Sequence, residues 1–385
     1  MSRGIAVLYL AHQVIPAIAA ARTWRADRGV ASEDELAILA DTPEDWSPTR
    51  IAEVRALLER LASPFPWVRV LPALSAEHRA LFRPTASART RADGIARLLG
   101  EPVPREIYYP LDSRFTPQSL AHAFPEAHRV TFGDALGVVY SPSYFERMAQ
   151  PPLPRLARRI RAGVARAIGW LPPYAPPQTA ALILPADPGG DVLPGRRLLV
   201  PSVSAVREIL ETMTTAVPEL GAATDRFLAK AGPHTVMVLG NLTEAGITSD
   251  DGELSLYRRV LERHVPRGSA VLLKPHPGGD PQRVRALLET AGTTWRLEAM
   301  APELAPVPIE LAAKLVTSAT VLSFSYTSIS LRHVYGAPVI HVLDQALIDE
   351  LVLPSKRAWM SESNRQYLEI LGKLATWDGR SPLLA

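Results

Sequence analysis

The sequence predicts an α/β protein made of two Rossmann-like, doubly wound parallel sheets. Short apolar runs alternate with segments of helical period through most of the 385 residues. This alternation is typical of parallel sheets covered by helices on both faces. A chain of this length is also too long for one ordinary core, which predicts two domains. A proline-rich stretch, WLPPYAPPQT at residues 170–179, supplies a linker between them.

The predicted elements alternate in chain order. We expect strands at residues 5–10, 67–71, 107–109, 129–132, 181–184, 197–200, 235–239, 270–273, 320–324 and 339–342. Helices are expected between many of them, at residues 48–61, 117–124, 202–215, 252–264 and 281–290.

The linker sets the expected domain boundaries. The first domain spans residues 1–170 and the linker residues 171–179. The second domain spans residues 180–345, and a helical tail follows at residues 346–385. Ligands of such sheets bind outside the carboxyl ends of the strands, so we expect a site in the cleft between the domains.

Composition narrows the chemistry. The chain has no cysteine, which excludes a disulfide framework, a zinc–thiolate site and a thiol nucleophile. The net charge is only +3, and no basic block is interleaved with aromatic residues, so we expect no nucleic-acid partner. No stretch reaches the roughly 18 apolar residues of a membrane span, so we expect a cytoplasmic protein. No acidic cluster suggests a metal, and we expect no cofactor.

The segment PRLARRIRAGVARAIGW, residues 154–170, has the pattern of an amphipathic helix. Leu156, Ile160, Val164 and Ile168 recur at a spacing of four and form one stripe. The arginines around it are Arg155, Arg158, Arg159, Arg161 and Arg166. One interpretation is a helix that packs its stripe on the core and leaves a basic face in solvent. The other is a peripheral contact of this basic helix, residues 155–170, with an anionic acceptor or an anionic membrane surface.

Three motifs follow predicted strands of the second half, each at the carboxyl end of its strand. The first is VMVLGNLTEAG, residues 236–246, in which Gly240 and Asn241 come directly after the strand. A glycine at this point lets the backbone approach a ligand closely. An ordinary turn between a strand and a helix explains the same residues equally well.

The second motif is LLKPHPGGD, residues 272–280. Pro275 and Pro277 stiffen the backbone on either side of His276. Lys274 lies two residues earlier, so its side chain points to the same side if the strand continues. A histidine donates to a phosphate oxygen and, when protonated, neutralises a leaving phosphate. These residues therefore predict a phosphate site, although a histidine satisfied within the core is the alternative.

The third motif is VLSFSYTSISLRHVYGAPVI, residues 321–340, in which Thr327 and Ser328 separate a strand from a helix. Hydroxyls and free N–H groups at the start of a helix bind anions, although either residue could simply cap the helix. Glu310 lies upstream, in APVPIELAAKL at residues 305–315. Its carboxylate could accept from ribose hydroxyls or merely favour the dipole at the start of a helix.

Together these motifs place a lysine, a histidine, hydroxyls and a carboxylate at the mouth of one nucleotide-binding domain. The sequence has no Walker loop and no GxGxxG fingerprint, which argues against an NTPase and against a nicotinamide enzyme. A nucleotide sugar that is used without a metal fits these residues best.

The motifs resemble those of the bacterial sialyltransferases, and most closely the alpha-2,8-polysialyltransferase-like family. Members of that family have the GT-B fold, and the donor, CMP-sialic acid, binds to the C-terminal domain. Their motifs are an acidic D/E-D/E-G triplet, a His-Pro pair and a Ser/Thr pair. His276-Pro277 matches the His-Pro pair, with Lys274 where related enzymes often have a lysine, and Thr327-Ser328 matches the Ser/Thr pair. The resemblance covers most of the second domain and is weaker in the first.

The acidic triplet has two candidates. Asp250-Asp251-Gly252 matches it literally but lies in the nucleotide domain. With Ser249 before it, this stretch has the pattern of a helix start, where acids suit the dipole, so we interpret it as a decoy.

The family's triplet ends a strand of the N-terminal domain, and here that position is Gly133-Asp134-Ala135. Glycine replaces the first acid and alanine replaces the glycine. The resemblance makes the first acid of the triplet the general base, so Asp134 is a candidate whose assignment departs from the family pattern.

The resemblance implies an inverting, metal-independent sialyltransferase. Asp134 would take a proton from an acceptor hydroxyl of a glycan or glycolipid while His276, Thr327 and Ser328 stabilise the departing CMP phosphate. Two alternatives remain open at this point. One is another GT-B transferase, such as a CDP-glycerol-dependent enzyme, and the other is a catalytically silent GT-B relative that binds a sugar, a lipid or a protein.

Overall fold

The chain folds into two units, each built on its own parallel sheet. The computed structural model describes residues 3–31, 33–42, 46–72, 78, 80, 81, 88–100, 102–110, 115–134, 136–139, 160, 161, 163–172 and 174–384. The first unit comprises Met1–Ile209 and Thr376–Ala385, and the second comprises Leu210–Ala375.

Seven parallel strands form the sheet of the first unit. They are β1 (Gly4–Leu8), β2 (Leu36–Ala40), β3 (Val68–Val70), β4 (Glu106–Tyr109), β5 (His128–Thr131), β6 (Thr179–Ala181) and β7 (Arg197–Leu199). Their order across the sheet is β3-β2-β1-β4-β5-β6-β7. The order changes direction between β1 and β4, and ligands of α/β sheets bind at such a switch point. The helices of this unit are Val14–Asp27, Pro48–Ala62, Ala88–Leu99 and Phe115–Ala123.

Continuous apolar runs explain the central strands of this sheet. Every residue of β1 and of β4 is buried, as expected of a parallel sheet that helices cover on both faces. Ile5, Val7 and Ile107 contribute to one hydrophobic cluster together with Leu120 from the helix Phe115–Ala123. The strands therefore bring their carboxyl ends to one edge of a well-packed unit.

Five parallel strands form the sheet of the second unit. They are β8 (His234–Val238), β9 (Ala270–Lys274), β10 (Arg296–Ala299), β11 (Thr320–Ser323) and β12 (Val339–His341), in the order β10-β9-β8-β11-β12. The switch point lies between β8 and β11. The helices of this unit are Pro218–Leu228, Asp250–His264, Pro281–Ala291, Ala313–Ser318, Thr327–Tyr335, Gln345–Leu351 and Pro354–Leu374, and Val203–Thr214 runs across the division of the chain.

The helices of the second unit begin at sequence signals of the expected kind. Ser249, Asp280 and Asp344 each accept a hydrogen bond from a backbone N–H in the first turn of the following helix. The helix Thr327–Tyr335 ends at Gly336, whose φ of 65° is the left-handed conformation that glycine adopts without strain.

Two parallel sheets in one chain confirm the predicted fold class, an α/β protein built on two Rossmann-like sheets. The boundary differs from the expected one, because β6 begins at the last residue of the proline-rich segment and pairs with β5, and β7 pairs with β6, so both strands belong to the first sheet. The helical tail also differs, because its last ten residues return to the first unit. Two strands, β2 and β10, were not predicted at all.

The segment around residues 160–170 corrects one interpretation. Residues 160, 161 and 163–167 are helical, and Ile160, Val164 and Ile168 are exposed. The stripe therefore does not pack on the core, and the core-facing interpretation is wrong. Leu156, Arg155, Arg158 and Arg159 lie outside the described residues. Within the described part of the chain, no helix is long and apolar enough to cross a membrane.

Candidate functional site

The three predicted motifs of the second unit lie side by side. Strands β9, β8 and β11 are neighbours in the sheet, and Val238 is in register with Lys274 on one side and with Ser323 on the other. The strands therefore end level with one another at the carboxyl edge. The switch point between β8 and β11 falls in the middle of this group, which is where a doubly wound sheet binds its ligand.

His276 occupies the exposed turn that follows β9. Its Nδ1 accepts a hydrogen bond from the backbone N–H of Gly278 at 3.0 Å. In the neutral imidazole the proton therefore lies on Nε2, which makes Nε2–H the donor. Pro277 beside it is also exposed. A Cβ on Gly279 would lie 3.5 Å from the carbonyl oxygen of Gly240, so this turn contacts the end of β8.

Lys274 differs from its predicted role. The side chain is 5% exposed, and its ammonium donates to the backbone carbonyls of Pro275 and Ala305. Burial lowers the pKa of Lys274 to about 8, although the Glu310 carboxylate opposes the shift. The lysine therefore stabilises the turn after β9 from inside the unit, and its charge is not at the surface.

Glu310 lies in a single 3₁₀ turn, Ile309–Leu311, and not at the start of a longer helix. Its carbonyl oxygen accepts from the hydroxyl of Tyr335 at 2.7 Å, which ties this turn to the helix Thr327–Tyr335. The half-buried carboxylate acts on the charge of Lys274. Glu310 is therefore within electrostatic reach of the lysine that ends β9, and its contact with a ribose stays a prediction.

A buried polar network that the sequence did not reveal holds the Gly240–Asn241 turn. The N–H of Gly240 donates to the Tyr257 hydroxyl at 3.1 Å, and that hydroxyl donates to Glu253. Glu253 is fully buried, and its carboxylate pairs with Arg283 at 3.0 Å. The carbonyl of Asn241 accepts from Ala245 N–H at 3.0 Å, so the turn is internally closed.

The same network explains the literal acidic triplet. Asp250 and Asp251 lie in the first turn of the helix Asp250–His264, with Ser249 as its N-cap. The Asp250 carboxylate pairs with Arg283 at 3.0 Å. The triplet therefore starts a helix, as the decoy interpretation predicted, and its first acid also pairs with an arginine, which the sequence did not indicate.

The Ser/Thr pair divides into a buried and a half-buried residue. Ser328 is 1% exposed, and its hydroxyl donates to the Ser325 carbonyl and lies 2.7 Å from the Tyr367 hydroxyl. Thr327 is the first residue of the helix Thr327–Tyr335, and neither hydroxyl caps that helix. Of the serines and threonines from Ser325 to Ser328, the exposed Ser325 and the half-buried Thr327 are the accessible ones.

Asp134 lies beyond the end of β5 in the first unit. Its Oδ1 accepts from Nε2 of Gln13 at 2.9 Å and lies 3.5 Å from Nε2 of His12. Gln13 is held in turn by its Oε1, which accepts from Tyr9 N–H at 2.7 Å. His12 and Gln13 follow β1, beside the switch point of this sheet. Sequence reasoning missed both, because nothing local links them to residue 134.

Glycine at the first position of the acidic motif has a backbone cause. Gly133 has a φ of 71°, and a Cβ there would lie 2.8 Å from the carbonyl carbon of Gly137. An acidic side chain at this position would be strained and would collide with that backbone. Ala135, which stands where the family has its glycine, lies outside the described residues.

In the portion of the chain that the structure describes, no group of three or more His, Asp or Glu side chains is arranged to hold a metal ion.

No protein-family model matches the sequence, and no curated protein matches it. Among solved structures, UDP-GlcNAc 2-epimerase of Neisseria meningitidis, bound to UDP-GlcNAc, is 12% identical over 97% of this chain and 93% of its own, at a TM-score of 0.48. ADP-heptose lps heptosyltransferase II of E. coli is 14% identical over 95% and 98%, at 0.40. MurG of Acinetobacter baumannii is 8% identical over 98% and 88%, at 0.42. Similarities of this size assign neither an activity nor a donor nucleotide to this chain.

Proposed function

We propose that the protein is a GT-B glycosyltransferase that uses a nucleotide-activated sugar. In its finer form the proposal names a CMP-activated sialic acid or related nonulosonic acid as the donor and a glycan or glycolipid hydroxyl as the acceptor. The proposed setting is the cytoplasm. One observation carries the proposal. Strands β9, β8 and β11 end level with one another, and His276 is exposed after β9, next to the strand that borders the switch point.

The donor half of the proposal rests on the second unit. His276 presents an Nε2–H donor because its Nδ1 is engaged by Gly278. At the start of the helix Thr327–Tyr335, the N–H groups of Ser328 and Ile329 already donate to the carbonyls of Ser325 and Tyr326, so this helix contributes its dipole, which favours an anion. In the proposed reaction the His276 donor, that dipole and the Thr327 hydroxyl stabilise the phosphate of the departing CMP. Lys274 stabilises the turn that carries His276 through its hydrogen bond to the Pro275 carbonyl.

The acceptor half rests on the first unit. The acceptor O–H bond breaks, and its proton passes to the pair formed by Asp134 and His12. The acceptor oxygen then bonds to the anomeric carbon as the bond from that carbon to the phosphate oxygen breaks. Gln13 orients the Asp134 carboxylate through its 2.9 Å hydrogen bond. A histidine paired with a carboxylate is a competent base near neutral pH, because the carboxylate stabilises the imidazolium.

Two other functions compete with this proposal. A CDP-glycerol-dependent or another nucleotide-sugar GT-B transferase would use the same phosphate-binding edge with another donor. A catalytically silent GT-B-like binding protein would keep the nucleotide site and lack turnover. Gly133 in place of an acid favours the silent protein, whereas the Asp134–His12 pair favours an enzyme.

Isothermal titration calorimetry of the purified protein with CMP, UMP, ADP and CDP tests the donor class. We expect CMP to bind most tightly, and His276→Ala to weaken CMP binding by about ten- to a hundredfold, the value of a hydrogen bond to a charged group. His78→Ala, an exposed histidine in the first unit, is the matched control and should leave CMP binding unchanged.

The outcomes separate the proposals. CMP binding that depends on His276 supports the site and the CMP-linked donor together. Preference for another nucleotide with the same dependence on His276 keeps the site and replaces the donor. Nucleotide binding that ignores His276→Ala, or no nucleotide binding, overturns the proposal.

A further inference from the structure

Exposed apolar side chains concentrate on one segment of the first unit. Among the described residues, nine large apolar side chains are exposed, and five of these lie between residues 160 and 174. They are Ile160, Val164, Ile168, Trp170 and Tyr174, called here the apolar stripe, and each is between 44% and 58% exposed. Scattered single exposures are ordinary on a protein surface, but a contiguous group of this kind marks an interaction site.

The backbone holds the stripe in a defined shape. Ile160, Val164 and Ile168 are spaced by four residues and so lie along one side of the helix. Gly169 ends the helix with a φ of 74°, and the N–H of Trp170 bonds to the Ala165 carbonyl at 2.8 Å. This is a Schellman cap, and Trp170, the residue after its glycine, is 58% exposed.

The segment after the cap is tied to the body of the unit. Ala175 N–H donates to Oε1 of Gln118 at 2.7 Å, and Gln118 Nε2 returns a bond to the Ala175 carbonyl at 3.2 Å. Arg129 donates to the carbonyl of Pro176 at 2.9 Å. The chain that follows the apolar stripe is therefore held to the first unit by hydrogen bonds.

The stretch of sequence that contains the stripe carries charge of one sign. Between Glu146 and Asp187 the sequence contains no acidic residue, no lysine and no histidine. The arginines of this interval are Arg147, Arg155, Arg158, Arg159, Arg161 and Arg166. Arg161 and Arg166 are exposed on the helix itself, and the other four lie outside the described residues.

We propose that the apolar stripe, with Arg161 and Arg166 beside it, binds the surface of an anionic lipid bilayer, with the helix lying in the plane of the interface. An amphipathic helix with apolar and aromatic residues on one side and arginines beside them has the chemistry of an interfacial anchor. Each arginine near an anionic surface adds attraction that falls off within a Debye length. This proposal rests on the segment alone and holds whatever sugar the protein transfers.

A second copy of the chain is a poorer occupant of the same surface. A twofold-symmetric dimer presents the same patch from both sides, so the arginines of one copy would face those of the other. Like charges that meet across an interface oppose association. An anionic bilayer instead supplies the missing negative charge and an apolar layer for the stripe.

Co-sedimentation of the full chain with phospholipid vesicles tests the proposal. We expect binding to vesicles of phosphatidylcholine with phosphatidylglycerol, weaker binding as salt rises, and little binding to phosphatidylcholine alone. Val164→Asp should weaken partitioning by about tenfold or more, because it removes buried apolar area and adds a repelled charge. Val103→Asp is the matched control, since Val103 is 55% exposed and Val164 is 54% exposed in the same unit.

Each result of these experiments either supports the proposal or overturns it. Binding that is lost in Val164→Asp and kept in Val103→Asp supports the proposal. Equal binding to neutral and anionic vesicles, no vesicle binding, or equal losses in the two variants overturns it. A dimer in light scattering that Val164→Asp dissociates, without vesicle binding by the parent protein, assigns the surface to a second copy and also overturns it. Circular dichroism melts compare the folding of the two variants.

Discussion

At the scale of single residues, Lys274 shows how a correct position can carry a different role. The sequence placed it two residues from His276, and the structure keeps it at the end of β9. Its side chain nevertheless points into the unit, where it donates to the Pro275 and Ala305 carbonyls. The sequence of a strand predicts where the strand ends. It does not predict whether the last side chain donates hydrogen bonds to carbonyl groups inside the protein.

The protonation of Lys274 leads to a testable dependence of stability on pH. Burial lowers its pKa to about 8, from 10.5 in the unfolded chain. Between these pH values the unfolded state binds more protons, so the free energy of unfolding rises as pH increases from 8 to 10.5. The Lys274 contribution to that rise is at most about 3.4 kcal/mol.

Urea denaturation at several pH values measures this contribution. Lys274→Met should flatten the rise between pH 8 and 10.5 relative to the parent protein, whatever it does to stability at one pH. Lys314→Met serves as the control, because Lys314 is 69% exposed and should leave the slope unchanged. Identical slopes for the parent protein and Lys274→Met would show that burial does not lower the pKa of this ammonium.

At the scale of elements, one arginine joins three pieces of the second unit. Arg283, on the helix Pro281–Ala291, pairs with Glu244 in the loop after β8 and with Glu253 and Asp250 on the helix Asp250–His264. Glu253 also accepts from the N–H and hydroxyl of Thr243, at 2.8 and 2.7 Å. The Gly240–Asn241 turn is therefore shaped by helices that begin well after it in the chain.

Removal of the arginine should destabilise the unit strongly. Arg283→Met leaves the fully buried Glu253 without its counter-charge, which costs about 3–5 kcal/mol in systems of this kind. Arg285→Met, at an exposed position of the same helix, should cost less than about 1 kcal/mol. Urea denaturation midpoints provide both values.

The double variant Arg283→Met with Glu253→Gln discriminates charge burial from lost packing. If the uncompensated carboxylate causes the loss, neutralising Glu253 should recover a substantial part of it. A double variant no more stable than Arg283→Met alone would assign the loss to packing of the arginine side chain.

Much of the fold could be predicted from sequence at this scale, and the exceptions have physical causes. β8, β9 and β11 are apolar runs bounded by turn residues, so their pattern was sufficient. β2 has the sequence LAILA, which suits a helix as well as a strand, and β10 has RLEA, which is too polar to stand out. Arg283 and Glu253 were missed because their contact joins two helices and no local pattern records it.

At the scale of the whole molecule, assigning each strand to a sheet was harder than finding the strands. The proline-rich segment predicted the boundary, but β6 begins at its last residue and pairs with β5 through Thr179 and Ala180. Strand pairing depends on contacts between residues far apart in the chain, and proline outside the strand does not prevent them. His12 and Asp134 illustrate the same limit, since the fold alone brings together residues that follow β1 and β5.

The two units also divide the proposed reaction, and this division can be tested. The donor phosphate is assigned to residues of the second unit and the acceptor proton to Asp134 and His12 of the first. Asp134→Asn and His12→Gln should therefore keep the calorimetric CMP dissociation constant within about twofold. Each should lower transfer from a CMP-activated donor by about a hundredfold or more, the usual contribution of a general base.

His276→Ala should show the opposite pattern, with CMP binding weakened first. Loss of CMP binding in Asp134→Asn would mean that the first unit takes part in holding the nucleotide, and the proposed division of roles would be wrong. A parent protein that binds CMP but transfers no sugar to any acceptor, and whose binding the two first-unit variants leave intact, would instead be a silent GT-B protein. The Asp134–His12 pair would then be a structural contact at the end of β5, since a base without turnover has no chemical role.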